Sequence, residues 1–482
     1  MQEMHRGFDE RLNLMDTAAS LPAVSVVMPV YNCEAYLESA LDSLQAQTFS
    51  QFELFVVDDG STDATAEIAE RYAASDARIT VLRQEHKFAG CARNLGLEQA
   101  RGDYVLFLDG DDYFMPTMLE HAWKKITECE ADICVFPVIS LNQETGAFLP
   151  LMHTCRMELT PSTGCFSSMT NPRHVLCFTT PAPWNKLFRR QFLLDEGLRF
   201  EATRSANDFC FVLTALAVAS KIVTLDEFLL VYRQHVKTSL QATQNKEPFA
   251  FYAALTALRE QLVKRGLFGL LNHAYINTAL DFCIYNLGTL RNAPEAHREV
   301  FAFLKDKGFA ELGILDKPQT YFYVYPPSRY QEYRRICELS YKEYAGAGMA
   351  APQPRKGEAQ PKAAKGQTAS EAAELAPSSE PSAPAASAQT ASAANADSLK
   401  KKLRRIMPLQ AKAFDRRAKK LEKKLDAVRA DDGELKTQIK ALQSQMKAMR
   451  SQMDGLRYQL SMIHEQNAAL LERLSSERDD RP

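Results

Sequence analysis

The chain has 482 residues, 46% hydrophobic and 24% charged, which is the balance of a soluble globular protein too long for one ordinary domain. Its formal net charge of -2 hides an uneven distribution. Residues 400–424 hold twelve Lys or Arg against Asp415 and Glu422, so that stretch is +10 and the remainder sums to -12. A basic segment on an acidic chain suits an anionic surface nearby, or is simply a solvated helix face. The ten cysteines form no CxxC pair, which argues against a zinc site or a disulfide framework. The N-terminus MQEMHRGFDERLNLMD lacks the apolar core of a secretory signal, and no run of about 18 apolar residues is present to span a bilayer. A reducing, cytoplasmic protein is expected.

After an N-terminal extension over 1–21, short β-branched runs alternate with helical periodicity, the pattern of a mostly parallel sheet flanked by helices. VSVVMPV from Val24 predicts the first strand. In the next segment Leu37, Ala40, Leu41 and Leu44 fall at i, i+3, i+4 and i+7, one apolar helical face. Strands recur at ELFVV, ITVL, DYVLFL and ICVFPV, with helices near 63–74, 90–100 and 116–128 between them. This α/β domain is expected to run over 22–240. A mainly helical extension follows over 241–345 and is expected to pack beside it.

From 346 to 397 the composition turns to Ala, Pro, Ser, Gln, Glu and Lys, with too little apolar surface to offset the entropy of ordering, so a disordered linker is predicted. A basic amphipathic helix is expected over 398–431. Over 432–478 apolar residues alternate at spacings of four and three from Leu435 to Leu474, the seam of a coiled coil. Asn467 stands at a core position of that seam, where one buried amide favours two parallel strands.

Three segments carry chemistry. Pro29 to Asn32 (PVYN) and Val56 to Asp63 (VVDDGSTD) open loops at strand ends, where doubly wound folds bind ligands. The third, GCARNLGLEQARGDYVLFLDGDD, places Asp109, Asp111 and Asp112 at the tip of an apolar strand. Clustered carboxylates repel one another unless a hard cation or hydrogen-bond donors satisfy them, so the spacing points to a divalent metal, Mg or Mn, with diphosphate oxygens completing its shell. An acidic turn is the alternative reading of D-G-D-D.

Taken together and in this order, these segments resemble the family 2 glycosyltransferases, over roughly residues 22–240. The resemblance implies the GT-A fold and an inverting transfer of a sugar from a nucleoside-diphosphate donor to a hydroxyl acceptor. It places Tyr31 and Asp59 at the nucleobase and ribose, Asp109 beside the ribose and metal, and Asp111 on the metal, with Lys87 and Arg93 as diphosphate-side candidates. In the acceptor half, APWNKLFRRQFL, RFEATRSANDFCF and LLVYRQHVKTSL also follow the family's order. Asp208 matches the family's general base. Asn207 departs from the Glu that many members have before it. His235 is a further candidate contact to metal or phosphate.

By family analogy the setting is bacterial surface polysaccharide synthesis. The implied partners are a nucleotide-sugar donor, a saccharide or lipid-linked acceptor, a second copy through the coiled coil, and anionic membrane at the inner face of the plasma membrane. Nucleic acid is not expected. Two other readings stay open on sequence alone: a catalytically silent GT-A domain acting as a coiled-coil adaptor, and a nucleotidyltransferase, although no Gly-rich loop that would cradle a triphosphate is present.

Overall fold

The computed structural model describes residues 21–143, 145–162, 164–234 and 247–346. Strands β1 (Val24–Val30), β2 (Phe52–Asp58), β3 (Ile79–Arg83) and β4 (Tyr104–Phe107) run parallel in the order β3-β2-β1-β4. Every residue of β1 and β2 is buried because both sheet faces are covered. Successive side chains go to opposite faces: Val27, Phe55, Val57, Val105 and Phe107 enter one core, and Val26, Met28, Leu54, Val56 and Leu106 the other. Helix α1 (Glu34–Gln45) buries the four residues whose spacing predicted it, Leu37, Ala40, Leu41 and Leu44. With α2 (Thr65–Ser75) it covers one face, while α3 (Phe88–Gln99) covers the other.

Beyond β4 come β5 (Tyr113–Phe114), α4 (Met118–Glu128), β6 (Ile133–Val135), β7 (Val138–Asn142), β8 (Phe148–Leu151), β9 (Cys165–Phe166) and β10 (Lys186–Arg189). The predicted strand ICVFPV is two strands in two sheets. Pro137 has no N–H to continue a ladder, and Phe136 exchanges its bonds with Asn185 instead, donating to the Asn185 carbonyl (3.2 Å) and accepting from Asn185 Nδ2 (2.8 Å). β10 lies antiparallel between β4 and β6, and β11 (Ile222–Thr224) pairs parallel with β6, so the main sheet is parallel in its first half and mixed in its second. β12 (Leu230–Gln234) joins β5, β7 and β8 in a small second sheet.

The helices of the second half include α5 (Arg190–Asp195), α6 (Phe209–Val218), α7 (Ala250–Lys264), α8 (Phe268–Thr289), α9 (Pro294–Phe303), α10 (Pro327–Glu338) and α11 (Tyr341–Gly346), the last five within the predicted helical extension or at its end. They share one core with α6 and β4: Phe107 packs edge-on against Phe211, and Phe209 stacks on Phe282 at 4.2 Å. The described residues all fall within one compact unit, Met1–Glu358. No helix among them is long and apolar enough to cross a membrane. The extension up to residue 20, the His235 contact, the linker beyond Gly346, the basic helix over 398–431 and the coiled coil over 432–478 lie outside the described residues.

Candidate active site

Because β1, β2 and β4 are parallel, the loops after them open at one edge of the sheet, which brings Tyr31, Asp59 and Asp109 to a common rim. The register of β1 with β4 ends at Val27, so Pro29, which has no N–H, falls where no ladder bond to β4 is needed. Asn32 then turns with φ 46°, a left-handed conformation that Asn tolerates, and its Oδ1 accepts the Thr62 N–H at 2.8 Å. Gly60 (φ 76°) makes the matching turn after Asp59. The first two loops are thereby tied together.

Asp59 is only 2% exposed and both its oxygens are occupied. Oδ1 accepts from Gln84 Nε2 (2.6 Å) and from the Lys87 backbone N–H (2.8 Å), and Oδ2 lies 2.8 Å from His86 Nδ1. The His86 ring stacks on Tyr31, with centroids 4.2 Å apart. Lys87 thus reaches Asp59 through its backbone, and its side chain is exposed and outside the cavity wall. Gln84 and His86 were not foreseen, since a lone His in RQEHK reads as a strand-end surface residue.

Arg93 joins the two halves of the site. It is buried on α3, donates from Nη2 to Asp109 Oδ1 (2.7 Å) and from Nη1 to Asn207 Oδ1 (3.0 Å). α3 can approach Asn207 because of Gly90, where a Cβ would stand 2.1 Å from the Glu201 carbonyl oxygen. Asn207 also donates from Nδ2 to the Thr203 carbonyl (3.2 Å). The departure from Glu therefore leaves Arg93 bonded to one carboxylate and one neutral amide.

Asp109 and Asp111 line the cavity, whereas Asp112 turns inward and accepts the Arg233 N–H at 2.9 Å. Burial, reinforced by Asp109, pushes the Asp111 carboxyl up to about 6. Asp112 goes well above the usual range for the same reason, with Asp111 and Asp109 adding, and its buried Oδ2 has no hydrogen-bond partner. Carboxylates crowded in this way are the hard oxygen donors that a divalent cation satisfies. Among the described residues no three His, Cys, Asp or Glu side chains gather into a metal cage. The fit is to an ion held by one or two carboxylates and completed by substrate oxygens, the usual habit of Mg.

Asp208 stands at the N-cap of α6 but makes no side-chain cap hydrogen bond to it. Burial raises its pKa, Arg93 opposes the rise, and Asp109 adds to it. The buried Lys186 ammonium donates to the carbonyls of Thr180 (2.9 Å) and Ala182 (2.8 Å) and to Asn185 Oδ1 (2.7 Å), fixing a stretch of cavity wall. Burial pushes Lys186 down to about 7, yet three oxygen acceptors match the three donors of a charged ammonium. One cavity of about 710 Å³ takes in Tyr31, Asp59, Arg93, Asp109, Asp111 and Asp208. Phe88 (φ 68°) and Ala206 (φ 55°), non-glycine residues in the left-handed region, also line it, the kind of backbone strain that collects at functional sites.

Comparison with known proteins is consistent with this geometry. The sequence model of "Glycosyl transferase family 2" matches residues 25–193. Glycosyltransferase GlyA of Streptococcus pneumoniae serotype 4 is 34% identical over 212 residues, covering 44% of this chain and 30% of GlyA. Glycosyltransferase GlyG of the same organism is 30% identical over 218 residues, covering 44% of this chain and 70% of GlyG. Poly(ribitol-phosphate) beta-N-acetylglucosaminyltransferase TarS of Staphylococcus aureus is 29% identical over 247 residues, covering 50% of this chain and 41% of TarS. A crystal structure of TarS 1-349 with UDP-GlcNAc superposes with a TM-score of 0.41 at 22% identity, covering 67% of this chain and 92% of that one. The chain thus spans less than a third of GlyA and about two fifths of TarS.

Proposed function

Since the chain belongs to the family 2 glycosyltransferases, whose GT-A layout its sheet and flanking helices follow, we propose that it moves a sugar from a nucleoside-diphosphate donor to a hydroxyl acceptor. The observation that carries this reading is the convergence in one cavity of Asp109 and Asp111 from the end of β4 with Asp208 from the head of α6. In this reading Tyr31 and Asp59 hold the nucleobase and ribose, His86 and Gln84 keep the Asp59 carboxylate in place, and Arg93 orients Asp109 from behind. Mg or Mn, held by Asp111 with Asp109 beside it, would supply positive charge to the departing diphosphate. Asp208 takes the proton from the acceptor hydroxyl as that oxygen attacks the anomeric carbon, and one direct displacement inverts the configuration. Burial makes Asp208 a stronger base than an exposed carboxylate, which suits the task as long as it is ionised near neutral pH.

The acceptor setting we propose is bacterial surface polysaccharide, supported by the name of TarS, which describes sugar transfer to a polymer. A cytoplasmic location belongs to the same proposal and rests on the sequence, whose ten cysteines form no CxxC pair. Dimerisation through the coiled coil and contact of the basic helix with anionic membrane belong to the same proposal and rest on sequence alone. Thermal-shift screening of nucleotide sugars, with and without Mn, tests the donor half. A ligand that binds only the native state must raise the melting temperature. The expected result is a metal-dependent rise for one class of nucleotide sugar; no rise with any of them would contradict the proposal.

A further inference from the structure

The cavity has a second wall that comes from outside the segment matched by the family model. α8 presents Phe282, Tyr285, Asn286 and Thr289 to it, residues at i, i+3, i+4 and i+7 and therefore one face of the helix. Phe282 fixes this face beside the chemistry by stacking on Phe209, the residue after Asp208, at 4.2 Å and 18°. Tyr285 lines the same cavity as Asp109, Asp111 and Tyr232, and Tyr232 stacks on Trp184 at 5.7 Å. The face therefore stands in one cavity with the general base and the carboxylate cluster.

Its chemistry is aromatic planes with hydrogen-bonding groups between them. A pyranose offers C–H bonds on its faces, which are attracted by the negative face of an aromatic ring, and hydroxyls around its edge, which need partners. α8 contributes no Lys, Arg or His to the cavity, and its one charged lining residue, Asp281, is an acid paired with Arg329 at 2.7 Å. The part of an acceptor that lies on this wall therefore needs no charge, as an uncharged sugar ring has none, while the cavity's arginines, Arg93 and Arg204, come from other elements and could meet a phosphate elsewhere on the acceptor.

We infer that the Phe282–Tyr285–Asn286 face of α8 is the acceptor platform, and that it takes the uncharged sugar ring whose hydroxyl Asp208 deprotonates. The inference rests on the transferase reading and adds to it the substrate class of the second site. Saturation-transfer NMR on the full chain, with a nucleoside diphosphate and Mg present, tests it with methyl glycosides of glucose, galactose and N-acetylglucosamine, and with glycerol phosphate as the anionic comparison. At least one glycoside should receive saturation, most strongly at ring C–H protons, and glycerol phosphate should not. Tyr285→Ala should weaken glycoside binding by about tenfold, equivalent to ~1.4 kcal/mol, with nucleotide affinity measured by calorimetry retained, while Tyr285→Phe, which keeps the ring, should bind as the wild type does. Undiminished glycoside binding by Tyr285→Ala, a preference for glycerol phosphate, or no glycoside binding by a wild type that binds nucleotide would each overturn the platform and leave the transferase reading standing. A wild type that binds no nucleotide would overturn the transferase reading itself.

Discussion

In the proposed reaction Asp208 and Asp111 divide the work of the site, and each role predicts a different failure. Asp208→Asn should keep donor affinity but lower turnover by about 10²-fold or more, the usual scale for losing general-base assistance; calorimetry and steady-state rates on the same preparation check the two halves. Because burial raises the Asp208 pKa, the ionised form that a base needs is lost at a higher pH than for an exposed carboxylate, so kcat should begin to decline sooner as the buffer is made acidic. A kcat that is flat down to the ordinary carboxylate range would count against that role. For Asp111 the sign concerns stability. Its carboxyl is raised from 3.8 to about 6, so the folded chain binds this proton more tightly than the unfolded one, and the associated stability is full below the lower value and lost as pH rises through the upper. In chelated buffer near neutral pH, Asp111→Asn should therefore melt above the wild type, and Mn should stabilise the wild type but not the variant. Equal responses to Mn in the two proteins would remove Asp111 from the metal site. Tyr31, Asp59, Asp109 and Asp111 could be picked out because they stand at the ends of strands in three segments, and Asp208 because a fourth segment follows the family's order; their roles are implied by the resemblance and remain part of the proposal. His86 could not, and Asn207 stood out only as a departure from Glu, since the contacts each makes depend on partners distant in sequence, Asp59 for one and Arg93 for the other.

At the scale of elements, α3 and the loop before α6 are held together through the space that Gly90 leaves. Gly90→Ala puts a methyl group 2.1 Å from the Glu201 carbonyl oxygen, so helix and loop must separate. Overpacking of this kind costs about 1–3 kcal/mol, and it moves Arg93 away from Asn207. The expected outcome is a lower melting temperature together with a fall in turnover beyond that of a remote variant of equal stability; normal melting and turnover would show that the contact yields freely. Strands β1, β2 and β4 were readable because buried strands are continuous apolar runs bounded by turn residues. The division of ICVFPV between two sheets was not, because Pro137 stops a ladder without saying where the chain goes next. Which residues of α8 face the cavity was hidden for another reason: the helix is apolar around nearly its whole circumference, so periodicity cannot separate residues facing the core from those facing a cavity.

For the whole molecule, the heptad seam from Leu435 to Leu474 predicts that the full chain is a dimer and that a chain ending at Gly346 is a monomer which keeps intrinsic activity on a soluble acceptor. Light scattering of the two, and of Leu456→Pro, checks this; a full-length monomer would refute the seam. The adaptor reading separates from the enzyme at the same scale. A silent scaffold needs the tail and has no use for carboxylates crowded against one another in a cavity at the cost of stability. The most direct measurement is release of nucleoside diphosphate from a panel of nucleotide sugars by the full chain, with and without Mn, beside the Asp111→Ala and Asp208→Asn variants. Metal-dependent release of nucleoside diphosphate from one class of donor, abolished by the first substitution and lowered about 10²-fold by the second, is the predicted result; no turnover of any nucleotide sugar, or pyrophosphate release from a nucleoside triphosphate instead, would contradict it.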